Sequence, residues 1–140
     1  MTNTNYKTIA SKIKFEGRAF INGRYVDAID GEKFKTINPA TGDVLCEVAK
    51  CNKKDVDLAV KVSRKAFNSG VWSKSSPEFR KDVLLKFAEL LREHGVENSV
   101  LECIDTGKLI GDCINEVAND APMHFQWYGE LIDKVFGKVG

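Results

Sequence analysis

A chain of 140 residues, 43% hydrophobic and 29% charged, has the size and make-up of one globular domain or part of one. Its 21 basic and 20 acidic residues leave a net charge of +1 with no basic stripe, which excludes the usual electrostatic footprint of a nucleic-acid binder. No apolar run is long enough to span a bilayer and "MTNTNYKTIASKIKFEG" lacks the apolar stretch of a signal peptide, so the chain reads as cytoplasmic, with no membrane partner.

Residues 1–17 are polar and aperiodic and read as a flexible N-terminal arm, loose or docked. Asn22-Gly23 then stands between Phe20-Ile21 and Tyr25-Val26. An Asn-Gly pair between apolar residues predicts a two-residue hairpin, because both turn positions need positive φ. A second hairpin is predicted from "FKTI" and "VLCEVA" across "NPATGD", with Pro39 pre-set for a turn and Gly42 permissive at its end.

From Asn52 the period turns helical. Asn52 with Asp55 three residues on is a variant capping box, Val56, Ala59, Val60, Ala66 and Phe67 form a stripe, and Gly70 ends it. Ser76-Pro77 opens a second helix carrying Phe79, Val83, Leu84, Phe87, Leu90 and Leu91, with Gly95 as its expected stop. A third, short helix is predicted from about Val96 to Thr106, closed by Gly107. A fourth is predicted from about Ile110 to Phe136, bent near Pro122. Its aromatic residues Phe125, Trp127 and Tyr128 are expected in a core rather than in a ligand cage. The fold class is therefore an α-rich α+β chain of short N-terminal hairpins followed by three or four helices.

Chemistry is sparse. No G-x-G-x-x-G, P-loop, H-E-x-x-H or G-x-S-x-G occurs. Cys46, Cys51, Cys103 and Cys113 form no C-x-x-C pair and lie far in sequence from His94 and His124, so they read as reduced, half-buried thiols rather than zinc ligands.

The order of the segments is more telling than any one of them. "FINGRYV", "INPATGDVLCEVA", "DVDLAVKVSRKAF", "WS", "RKDVLLKFAELLREH", "LECIDTGK" and "QWYGELIDKVFGKV" together resemble the N-terminal part of aldehyde dehydrogenases. The likeness runs from about Ala19 to Gly140 and is nearest to bacterial enzymes acting on γ-glutamyl-aminobutyraldehyde and related amino-aldehydes. It implies a partial aldehyde dehydrogenase-like α/β fold, with residues 18–140 as the incomplete helical part of the cofactor-binding domain. The implied parent is NAD- or NADP-dependent and oxidises aldehydes, amino-aldehydes among them, to carboxylic acids. Family chemistry uses a thiolate nucleophile, hydride transfer to nicotinamide and hydrolysis of a thioester. The family's nucleophile, general-base glutamate and cofactor turn match nothing in this sequence. The resemblance therefore implies no catalytic residue and no cofactor contact in this chain, which alone is expected to be inactive.

Two local features remain. Many members hold a monovalent cation with oxygen ligands that match Thr36, the Ile37 carbonyl and Asp105; the other reading of Asp105 is a hydrogen bond near the helix end at Gly107. The last helix lines the aldehyde tunnel in this family. Asp120 matches a tunnel position there, with Glu116 one turn earlier, although a solvated helix face is the plainer reading of the pair. Leu109 stands where the family commonly has proline, which relaxes the stop between helices three and four. The expected partners are the remainder of the enzyme, a second copy of the chain and, for the parent, a small-molecule aldehyde. The reading from a different class is a stand-alone, non-enzymatic helical module that self-associates or binds a partner.

Overall fold

Asn22 and Gly23 take φ of 57° and 76°, so the first predicted turn has the mirror-image geometry that matches the twist of its strands. It joins β1 (Ala19–Ile21) to β2 (Arg24–Val26). Phe20 pairs with Tyr25, and their rings meet edge to face at 5.1 Å. The computed structural model describes residues 4–137. It divides into two compact units, Lys14–Lys74 and a second made of Met1–Ile13 with Ser75–Gly140.

In the Lys14–Lys74 unit, β3 (Lys33–Ile37) pairs antiparallel with β4 (Val44–Ala49). Thr36 faces Cys46 and Ile37 faces Val44, so Leu45 is an extra residue that bulges the strand. The turn is held by the Gly42 N–H on the Asn38 carbonyl (2.8 Å) and the Ala40 N–H on the Asn38 side chain (2.9 Å). The Gly17 carbonyl accepts from the Ala49 N–H at 2.7 Å, and the chain passes so close to β4 that a Cβ on Gly17 would lie 1.9 Å from the Glu47 carbonyl oxygen.

Helix α2 (Lys53–Ser69) begins with the predicted capping box. The Asn52 side chain accepts from the Lys54 N–H (2.7 Å), and Asp55 accepts from the Asn52 N–H (2.8 Å). Asp55 does more than cap. It is 2% exposed, and its other oxygen accepts from the Ile29 N–H at 2.9 Å, tying the link after β2 to the helix start. Gly70 ends the helix as expected.

The second unit is helical. Within the segment expected as an arm, Asn5 caps a short helix, α1 (Tyr6–Ala10); residues 1–3 of that arm lie outside the described residues. Helix α3 (Pro77–Glu93) starts as predicted, with the Ser76 hydroxyl accepting from the Phe79 N–H and proline where no donor is needed. Gly95 does not stop it. Gly95 is the first residue of α4 (Gly95–Thr106) and is buried, because a Cβ there would lie 2.9 Å from the Ala118 side chain. Leu109 does not weaken the next stop either: Gly107, in the left-handed region, closes α4, and Leu109 is extended.

The predicted fourth helix is divided. It runs as α5 (Ile110–Cys113), a π-helical turn (Ile114–Asp120) and α6 (Ala121–Leu131), ending short of Phe136. The Ala121 N–H bonds to the Glu116 carbonyl five residues back. Pro122 follows at once. It has no N–H to give and its ring would crowd the carbonyl four residues earlier, so a wider turn before it relieves both problems. Downstream of Pro122, α6 packs on α3, with Phe125 edge-on to Phe87 at 4.7 Å and Gly129 close against Leu84. Ala88, Val100, Cys113, Pro122 and Ser99 make the core of this unit. Trp127 and Tyr128 were expected there but are 62% and 61% exposed; α6 packs mainly on α3, which leaves much of its surface uncovered. Val60 and Phe67 of α2 are similarly exposed.

Candidate functional site

Thr36 and Ile37 sit at the bulged end of β3, which re-aims the backbone there. Thr36 is half-buried and Ile37 exposed. Asp105 is exposed in the last turn of α4, in the other unit. Hydroxyl, carbonyl and carboxylate oxygens suit a hard monovalent ion. No group of three or more His, Cys, Asp or Glu placed to hold a metal occurs among the described residues.

Glu116 and Asp120 both lie in the π-helical turn and are both exposed. The bonds that reach back five residues widen the turn, and residues four apart remain about one turn from each other in it. Their surroundings differ. The Glu116 carboxylate is 2.7 Å from the Lys108 ammonium, which also meets Glu102 at 3.2 Å. These two carboxylates push the Lys108 ammonium up to about 12. No ion pair to the Asp120 side chain occurs among the described residues; its backbone carbonyl accepts from the His124 ring at 2.8 Å. Lys108 is the residue that sequence reasoning missed. Its partners are Glu102, across the helix stop, and Glu116, in the turn that follows, and no local spacing rule links them.

The cysteines are all free thiols. Cys113 is fully buried, and burial pushes its thiol up, away from the thiolate a nucleophile needs. Cys51 is exposed, and Cys46 and Cys103 are half-buried. A dinucleotide binds at the carboxyl ends of parallel strands beside a helix N-terminus. The described strands form two separate two-stranded antiparallel ribbons, which are not that arrangement. No described helix is long and apolar enough to cross a membrane.

A sequence profile of the aldehyde dehydrogenase family matches residues 25–140. The chain is 40% identical over 136 residues to an aminoacetaldehyde dehydrogenase of Pseudomonas aeruginosa, covering 97% of this chain and 27% of that one. Its structure is similar to a γ-glutamyl-γ-aminobutyraldehyde dehydrogenase from Burkholderia cenocepacia, with a TM-score of 0.92 and 44% identity over 96% of this chain and 27% of that chain. An indole-3-acetaldehyde dehydrogenase of P. syringae, solved in complex with NAD+, also matches at a TM-score of 0.92 and 39% identity, with the same shares covered. The chain thus spans about a quarter of the length of the relatives it matches.

Proposed function

Because the chain belongs to the aldehyde dehydrogenase family, we propose that it supplies the N-terminal hairpins and helical layer of an enzyme that oxidises aldehydes to carboxylic acids with NAD or NADP. The observation that carries this reading is the match, at 44% identity and a TM-score of 0.92, to a γ-glutamyl-γ-aminobutyraldehyde dehydrogenase over 96% of the chain. Amino-aldehydes are the substrate class, since two of the relatives named above act on them. The working compartment is the cytosol. The chain itself holds no nucleophile for the reaction, and the cofactor is taken by residues outside it. Its partner is the remainder of such an enzyme, which would cover the apolar residues exposed on α2 and α6; a second copy is the other way to cover them. A stand-alone helical module has no comparable support.

The test is a chimera. This chain replaces the matching segment of the Pseudomonas aeruginosa aminoacetaldehyde dehydrogenase, and NAD reduction with aminoacetaldehyde is followed. The chimera should turn over and lose the hydrophobic-dye binding expected of this chain alone. A folded chimera without turnover would refute the proposed role.

The tunnel role belongs to Asp120, whose carboxylate attracts the ammonium end of an amino-aldehyde. In the chimera, Asp120→Asn should raise KM for aminoacetaldehyde about five-fold more than for a neutral aldehyde, the effect of ~1 kcal/mol between charges in water. Equal changes for both substrates would sink this assignment. For the cation, Thr36 and the Ile37 carbonyl are proposed as ligands that need others to complete a site. Sodium and choline chlorides at low millimolar concentration should then give this chain the same Tm. A sodium-specific rise would mean that the chain binds the ion unaided.

A further inference from the structure

The π-helical turn is held from outside at three places. Gly95 of α4 admits Ala118 at a distance no side chain would allow. The buried Ser99 hydroxyl, also on α4, lies 3.1 Å from the Cys113 carbonyl just before the turn while donating to the Gly95 carbonyl at 2.7 Å. On the exposed side the hold is ionic. Lys108 follows the helix stop at Gly107, and from there its ammonium reaches Glu102 on α4 and Glu116 on the turn together.

We propose that Lys108 is a positioning residue: it fastens the π-helical turn to α4 and neutralises Glu116, leaving Asp120 as the uncompensated carboxylate of that turn. A π turn is an unfavourable register that persists where neighbouring contacts over-determine it. Pro122 and the two buried contacts favour the wide register, and Lys108 adds a tie to α4 on its exposed side. It also divides two exposed acidic residues into one that is ion-paired and one that is not. The proposal extends the role given to Asp120 without depending on it, since the fastening can be read on this chain alone.

Amide hydrogen exchange on the 140-residue chain, resolved by residue, tests it. Lys108→Met should speed exchange of the amides of residues 114–121 by about 1.5- to five-fold, the range for an ion pair of this exposure. Glu116→Gln should do the same, Lys108→Arg should restore the slow rate, and high salt should shrink the difference between the native chain and Lys108→Met. Unchanged exchange in Lys108→Met, or an equal rise through α3, would overturn the proposal, the second because it would mark a general loss of stability.

Discussion

Gly17→Ala is expected to destabilise the Lys14–Lys74 unit by about 2–3 kcal/mol, at the upper end of what overpacking costs. The new methyl would lie 1.9 Å from the Glu47 carbonyl oxygen and 3.0 Å from its carbon, and both are backbone atoms of β4 that cannot swing aside. Relief requires the 17–18 segment to move off the strand, which also breaks the 2.7 Å bond from the Ala49 N–H to the Gly17 carbonyl. The internal control is Gly111→Ala. A Cβ there meets nothing within 4 Å and sits in a helix, so that change should be neutral or stabilising by up to about 1 kcal/mol. Urea denaturation followed by circular dichroism compares the two. Equal midpoints would show that β4 yields easily and that the close approach is not a constraint.

Asp55→Ala carries the other large effect, about 2–4 kcal/mol. The carboxylate accepts two backbone N–H groups, from Asn52 at 2.8 Å and Ile29 at 2.9 Å, and is 2% exposed. Truncation strands both donors, and hydrogen bonds to a charged acceptor cost more to lose than neutral ones. Asp55→Asn keeps one acceptor oxygen, so it should lose roughly half as much. The order native, Asn, Ala in denaturation midpoint is the signature of a two-sided tie. If Asn and Ala are equally destabilised, only the ionised carboxylate matters. If Ala loses less than about 1 kcal/mol, Asp55 is an ordinary helix cap.

The Asp55 result also marks the line between what could be read early and what could not. The capping bond to Asn52 spans three residues and was legible as Asn52-x-x-Asp55. The bond to Ile29 spans 26 residues and was not, because nothing local says which distant amide will lack a partner. The candidate site shows the same division. Glu116 and Asp120 are legible as a pair from their i, i+4 spacing, but the pairing of Glu116 with Lys108, which makes the two carboxylates unlike each other, is not.

By itself the sequence determined the hairpin at Asn22-Gly23, the starts of α2 and α3, the stops at Gly70 and Gly107 and, through the order of its segments, the family. Each of those signals acts within four or five residues, where backbone geometry and capping decide the outcome, or is carried by segment order along the chain. Only the tertiary structure decided the close passes at Gly17 and Gly95, the exposure of Trp127 and Tyr128, and the wide turn before Pro122. Those depend on which surfaces meet. A glycine read as a helix stop becomes a contact point when another backbone needs its space, and an aromatic residue at core spacing stays exposed when no partner covers its face.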